Sequence, residues 1–505
     1  ADIDRLIELG MLDTVIVGQR PYSRREMVRL YSNLMRTVPI GAGESNVAAA
    51  LAVSRLQSHL GLDSGPDAED GWAPIDAASL TLSSTDARRR GFSGSITRQL
   101  EATIDPLAAR RLGTPAPRGQ SLALELEHVV EPTSWLALHA RERVEGVNAT
   151  DASGSSGRAE LLLGGARMRY RNTALQIGRE EIAWAQRAGD GLLLASDAPA
   201  LDLVSIASDA PFALPGPFRR MGPAQATLLL ADLGPSVARS HSKLLAYKVS
   251  LAPRPGLEVG AFFLNHFGGQ GGRASSLGNR LIDFLPFVDI FRGHNYTDTT
   301  RTLDVDSDKQ LGIDGRMRFD ALGGLTVATE LLIDDFDVHR IRTLFTWDGA
   351  QSLRIVLPRF GRTALAGELS AKHTGIRTYT HGSLSNGITT RGRLLGDELG
   401  PDAKSFGALL RWRPAGPTEV SVEGRSAIYS RADYVTIEQG SYFVIRRTAD
   451  AANEQRDGLT LVVTRELGRA MRLSTRAAGL RIRNADFAGS SRRDYAASVG
   501  LQFAR

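Results

Sequence analysis

The sequence predicts an all-β, antiparallel transmembrane barrel of about 18 strands, preceded by a small α-helical bundle. Three observations carry this expectation. From about residue 222 to Phe503, Leu, Val, Trp and Tyr alternate with Arg, Lys, Glu, Ser and Gly, so each strand has one apolar and one charged face. Short turns and long connections succeed one another strictly along that stretch. No apolar run approaches the roughly 20 residues a membrane helix needs, which excludes a helical membrane protein. A closed barrel satisfies every backbone group without such runs, whereas a soluble sandwich would not bury so many arginines.

The chain divides into residues 1–70, a helical bundle, and residues 71–505, the barrel with its long loops. After Pro21, Ser23 and Glu26 have the spacing of a capping box, so a helix follows with Met27, Leu30, Tyr31 and Leu34 as its apolar stripe. A second helix runs from about Glu44 to Leu60, with Val47, Leu51 and Leu56 on one side and Gly61 at its end. Ala1-Asp2-Ile3-Asp4 has neither the basic nor the apolar region of a signal peptide and reads as a mature terminus left after cleavage.

From about Ile75 the period switches to two. Leu80 and Leu82, then Leu122, Leu124 and Leu126, alternate with polar residues; Ala166, Met168 and Tyr170 alternate with Arg167, Arg169 and Arg171. Between Trp184 and Arg220 the pattern lapses, and an irregular or helical excursion is expected instead of regular strands. Beyond it, short turns fall at 252–256, 320–324, 358–362, 414–417 and 467–470, with long connections at about 265–308, 334–350, 373–403, 430–456 and 484–492. The count is about 12 strands from 222 onward and about six between 75 and 183. Outer-membrane barrels place short turns in the periplasm and long loops outside, and counting back from the C-terminus puts every short turn at the periplasmic end. The last strand, Tyr495 to Phe503, has one apolar face and an aromatic near its end.

Composition narrows the function classes. With 52 Gly, 42% hydrophobic and 23% charged residues in 505, the chain is neither disordered nor fibrous. Zero cysteines exclude disulfides, thiolate zinc sites and cysteine nucleophiles. The 61 basic residues occur singly at alternating positions, which favours a polar lumen over a nucleic-acid surface. Arg167, Arg169, Arg171, Arg411, Arg413, Glu423 and Arg425 are the expected lumen-lining residues.

Four stretches stand out in order along the chain: Arg20-Pro21-Tyr22-Ser23; Ile177-Gly178-Arg179 to Trp184 with Leu192 to Ser196; Leu245 to Leu251 with Pro253 and Phe267 to Gly271; and Tyr379-Thr380-His381 with Gly387 to Gly392 and Leu395 to Ala403. Together they resemble the Wzi-type capsule-assembly outer-membrane proteins. Ala185-Gln186-Arg187 departs from the family pattern, in which Gly and Pro follow the Trp. The resemblance implies an 18-stranded barrel plugged by its helical bundle in the outer membrane of a Gram-negative cell, and a non-enzymatic, lectin-like role in holding capsular polysaccharide.

Glycan binding requires fixed carboxylates, amides and guanidinium groups, with aromatic faces for sugar rings. The long loops hold such sets: Arg292, His294, Asn295, Tyr296 and Asp298; Asp334, Asp335, His339 and Trp347; and Tyr379, His381, Asn386 and Arg391. The plain alternative for each is loop packing. Asp334, Asp335 and His339 also suggest a hydrolytic site, but proximity in sequence supplies neither nucleophile nor orienting partner. Asp304, Asp306 and Asp308 mimic a calcium loop, yet Lys309 stands where Gly is needed and Gly315 where Glu is needed. No catalytic residue, metal or cofactor is assigned. Expected partners are capsular or other surface polysaccharide, outer-membrane lipid and lipopolysaccharide, and other surface-assembly proteins. The competing reading is a porin or export conduit with a cationic lumen.

Overall fold

The computed structural model describes the chain except residues 1, 9–10, 13–14, 38–46, 61–71, 94–99, 108–111, 113, 151–153, 188–190, 196–198, 236–238, 273–277, 279–282, 286–306, 335–344, 361–362, 382–386, 415, 431–433, 440–441, 448–451, 469 and 505. Three helices open it: α1 (Asp2–Glu8), α2 (Arg24–Thr37) and α3 (Val47–His59). Eighteen wall strands follow. The first nine are β1 (Trp72–Thr85), β2 (Gly119–Thr133), β3 (Leu136–Ala149), β4 (Ser155–Tyr170), β5 (Thr173–Glu180), β6 (Leu201–Ser208), β7 (Pro223–Asp232), β8 (Lys243–Arg254) and β9 (Leu257–Phe267). The rest are β10 (Ser307–Phe319), β11 (Leu325–Asp334), β12 (Gly349–Leu357), β13 (Leu365–Thr374), β14 (Ala403–Trp412), β15 (Thr418–Tyr429), β16 (Glu454–Glu466), β17 (Met471–Ala485) and β18 (Ser490–Ala504).

Each strand pairs antiparallel with the next, and the sheet closes where β1 meets both β2 and β18: Leu80 lies opposite Leu124 on one side and Leu501 on the other. Closure removes both edges. Leu80, Leu124, Val204, Leu228, Ile313, Leu410, Leu461 and Leu501 are exposed on the outer face. A band of this kind around a closed sheet is the surface that meets lipid. Among the described residues no helix is long and apolar enough to cross a membrane.

The expected count holds, with three local differences. The sixth early strand is β6, inside the stretch expected to be irregular; the short run Leu201, Leu203 and Ser205 faces inward while Asp202, Val204 and Ile206 face outward. The connection expected at 484–492 closes as a tight turn between Ala485 and Ser490. On the opposite side, Asp209–Gly222 is a longer crossing with a 3₁₀ turn at Gly216–Met221.

The N-terminal segment spans the mouth where the short turns gather. Arg5 pairs with Glu419 (3.3 Å) and Arg55 with Glu466 (3.1 Å) on one side. Opposite, the Glu258 carboxylate accepts the N–H groups of Val17 (2.7 Å) and Gly18 (2.8 Å). A Cβ at position 18 would lie 2.8 Å from the Gln186 amide nitrogen and from the Glu258 carboxylate, so a larger residue would have to displace these side-chain ends. Leu6, Val17, Leu30, Leu34, Ala52 and Leu56 form the core of this segment, with Met27 and Tyr31 packed against it as the stripe predicts. Ser23 Oγ caps α2 by accepting the Glu26 N–H (3.0 Å), but Glu26 itself pairs with Arg29 (2.6 Å), so the box is only half formed. The Val47 and Leu51 side chains lie outside the described residues.

The larger hydrophobic core lies inside the barrel. Three connections from the loop end fold inward. Phe92, Leu100 and Ala102 come from 86–118, Trp184 and Leu192 to Leu194 from 181–200, and Tyr379, Ile388, Leu394 and Leu395 from 375–402. They pack on inward wall residues including Leu229, Leu244, Phe262 and Leu332. Gly312 gives the Phe262 ring its place, since any side chain there would overlap it. The lumen is therefore filled on one side by apolar packing rather than by water throughout.

Candidate functional site

The arginines expected to line the lumen are, in the main, paired. Arg167 meets Asp209 (2.9 Å), Arg411 meets Glu368 (3.7 Å), Arg413 meets Glu419 (2.8 Å) and Arg425 meets Glu398. Arg169 donates to the Ser134 carbonyl (2.6 Å) near the strand end. Glu423 is exposed on the inward face of β15. Arg171 is a correction: it sits in the turn after β4 with φ 55°, exposed, because the strand ends at Tyr170. Two more ladders, Arg141 and Arg143 on Glu125 and Arg158 on Glu145, continue the neutralised wall.

At the loop end, Arg292, His294, Tyr296, Asp335 and Asn386 lie outside the described residues, as do Asn295, Asp298 and His339. Trp347 is half-buried; its carbonyl accepts the Arg377 N–H (2.9 Å) and its ring packs on Ile376. His381 is half-buried and Arg391 exposed. Arg391, at the tip of the Thr389–Leu394 hairpin, reaches Asp202 (3.6 Å), which also holds Arg179 (2.7 Å). Burial, and then the Arg179 guanidinium, lower the Arg391 pKa from its ordinary value. Trp347, His381 and Arg391 are the sequence-predicted residues left with accessible polar or aromatic surface.

Tyr379 is the second correction. It is 0% exposed, donates from its hydroxyl to the Leu192 carbonyl (2.5 Å) and accepts the Asp397 N–H (3.2 Å). Burial, with the Asp397 carboxylate beside it, pushes its phenol well above the ordinary tyrosine range and keeps it a donor. It is a cross-lumen tie, not a stacking face. Tyr379→Phe is expected to cost about 1–3 kcal/mol, because two buried backbone groups lose a partner, while polysaccharide affinity stays within about twofold. Urea unfolding in lipid vesicles and a binding titration check both; lost affinity at unchanged stability would return Tyr379 to the ligand.

The same packing explains the densest motif. Ile388, Thr389, Thr390, Leu395 and Leu399 are buried, Thr390 Oγ1 donates to the Leu233 carbonyl (2.9 Å), and Lys372 pairs with Asp397. Asp334 belongs to this framework too. Its carboxylate accepts the Tyr379 N–H (3.0 Å) and the Gln310 amide (3.2 Å), which ties the inward connection to the wall. Ser242 Oγ and His266 Nε2 lie 2.8 Å apart, with Asp308 opposite His266 in the ladder. All three are at most 3% exposed, so no nucleophile is presented. Asp304 and Asp306 lie outside the described residues. Among the described residues no group of acidic and histidine side chains has a metal-holding arrangement.

Sequence reasoning missed a buried polar cluster. Lys248 pairs with Asp314, which also accepts from Gln186; Gln186 reaches Glu258 (3.3 Å), and Arg316 stands 4.0 Å from Glu258. The only signal was the Ala185-Gln186-Arg187 departure. Ala185 O accepts from Arg20 (2.7 Å) and Arg187 pairs with Glu368 (2.7 Å), so the stretch ties the inward connection to the N-terminal segment and the wall.

A closed 18-stranded sheet with an apolar outer belt, a filled lumen and its polar loops at one end defines an outer-membrane β-barrel of the occluded kind. The model of the capsule assembly protein Wzi family matches residues 88–493, and the chain belongs to that family. Among solved structures it is similar to Wzi of Escherichia coli, an outer-membrane protein described as a carbohydrate-binding β-barrel involved in group 1 capsule assembly. Identity is 15%, over 100% of this chain and 97% of that one, with a TM-score of 0.68. OprD of Pseudomonas aeruginosa (10% identity, 87% and 96% covered, TM-score 0.44) and OpdL of the same organism (13%, 85% and 99%, 0.44) are more distant. No curated protein matches the sequence.

Proposed function

We propose that this protein is a non-enzymatic, lectin-like outer-membrane barrel that binds capsular polysaccharide at its loop end and helps retain it on the cell surface. Residues 1–70 act as the plug and 71–505 as the barrel, with a signal peptide removed on the way to the membrane. The filled lumen carries the reading. Apolar side chains from 181–200 and 375–402 occupy one side, and the wall arginines face carboxylates, an arrangement suited to holding a polymer at the mouth and ill suited to a cationic conduit. Family membership and the carbohydrate-binding character of Escherichia coli Wzi support the ligand class.

Trp347, His381 and Arg391 supply the described part of the binding face; Arg292, His294, Tyr296, Asp335 and Asn386 extend it. Each contact is modest, and a repeating polymer rebinds at neighbouring contacts. Purified protein is expected to bind cell-derived capsular polysaccharide. Trp347→Ala with Arg391→Ala should weaken binding by about tenfold, because a stacked ring and a charge-assisted contact are lost together. The reading fails if cells lacking the protein keep as much cell-bound capsule as wild type and the purified protein binds no polysaccharide.

A further inference from the structure

The outer wall, which the polysaccharide reading does not use, carries a cationic pair with no carboxylate partner among the described residues. On β17 and β18 the inward residues are unmistakable: Ile482 is 0% exposed, Leu480 packs on Ala478 and Ala496, and Asp494 is buried with Arg492. Arg481, Arg483 and Arg493 therefore face outward, and all three are exposed. Their position along the strand is defined by what lies beneath. On β18 the outward residues run Phe503, Leu501, Val499, Ala497 and Tyr495, then Arg493; on β16, the other neighbour of β17, they include Leu461 and Leu459, then Asp457. Tyr495 is 63% exposed, an aromatic at the upper border of the apolar belt. Arg493 follows two residues later, about 7 Å further along the strand, which is headgroup depth in the outer leaflet.

Arg481 and Arg493 are directly opposite in the ladder. Directly opposed side chains have Cβ atoms about 5 Å apart, so like charges there destabilise the sheet unless an anion joins them. Arg483 has its anion, Asp457 at 2.7 Å, and that carboxylate is further engaged by Ser426 (2.7 Å) and Gln455 (3.1 Å). Among the described residues neither Arg481 nor Arg493 has a carboxylate partner. Elsewhere on the same rim Arg179 is neutralised by Asp202 and Lys243 by Asp232, both at 2.7 Å.

We propose that Arg481 and Arg493 form a binding site for the phosphate of a phosphorylated glycolipid of the outer leaflet, with its acyl chains along Tyr495, Val499 and Leu459. Two guanidinium groups offer a fork of donors matched to phosphate oxygens, and the apolar surface directly below accepts the chains of the same molecule. This rests on the outer-membrane placement in the proposed function and is independent of polysaccharide binding at the mouth.

The test uses the full chain in detergent, titrated with bis-phosphorylated lipid A and with an unphosphorylated analogue of identical acylation, read by native mass spectrometry. Wild type is expected to prefer the phosphorylated lipid by about tenfold or more, and Arg481→Gln with Arg493→Gln to abolish that preference. Arg465→Gln, outward at the opposite end of β16, should leave it intact. Heat-modifiable migration confirms that each variant is folded, and unchanged polysaccharide binding separates this site from the mouth. Equal binding of both lipids, or a retained preference in the double variant, overturns the proposal. Displacement by millimolar inorganic phosphate would make it a free-anion site, and loss of polysaccharide binding with lipid preference unchanged would make it part of the glycan face; either result also overturns it.

Discussion

Lys248→Met is expected to be among the most destabilising single substitutions in this protein, at about 3–5 kcal/mol. Lys248 and Asp314 are 0% and 1% exposed on the inner faces of β8 and β10, and the ammonium also sits 5.4 Å from the Phe262 ring centroid. Methionine keeps most of the volume but leaves the Asp314 carboxylate, among the described residues, with the Gln186 amide alone. A buried charge without its counter-charge is the expensive state, far more than the absence of the pair. Adding Asp314→Asn should therefore recover a substantial part of the loss. Urea unfolding in lipid vesicles measures both steps, and a single-variant cost below about 1 kcal/mol would show that the pair does not hold the wall to its contents.

A chain lacking residues 1–70 is expected to stay closed in planar bilayers. The truncation strips two N–H donors from Glu258 and one partner each from Glu419 and Glu466, which keep Arg413 and Arg472, so stability should fall. Yet the apolar side of the lumen remains packed by Trp184, Leu192 to Leu194 and Tyr379. The charged side is crossed by 86–118: Leu107 packs on Ala478 and Ala496 while its carbonyl accepts from Arg476 (2.7 Å), and Arg158 donates to the Pro115 carbonyl (2.7 Å). Steady conductance should appear only when 86–118 is also replaced by a short turn, which leaves Glu423, Arg476 and the Glu125 ladder facing water. An open channel after removal of 1–70 alone would mean that the inward connections do not seal the lumen and would revive the conduit reading.

The approximate strand number, the chain direction and the five short turns beyond residue 222 were legible because period-two alternation is local: it depends on which face each side chain takes, not on what that face meets. β6 was misplaced because eight residues bounded by irregular chain leave too short a pattern to separate from a buried loop. Tyr379 and Trp347 illustrate the limit at the site. Both are aromatic residues in long connections, and both suit a sugar ring equally well as sequence. The path of the connection separates them, since 375–402 turns into the barrel and carries Tyr379 to 0% exposure while Trp347 stays half-buried near the rim. Arg171 failed for a smaller reason, a strand that stops one residue early.

Alternation and punctuation in the chain were enough to specify a closed antiparallel barrel of about 18 strands with its long loops at one end. They were silent on what fills it. Whether an inward arginine faces water or a carboxylate, as with Arg167 and Asp209 or Arg425 and Glu398, depends on residues far apart in the chain. Whether a loop reaches outward or folds back depends on apolar surface such as Phe262 and Leu332 waiting on the inner wall. Those are long-range burial and charge-pairing terms, and they appear only when the sheet has closed and brought its inner face together.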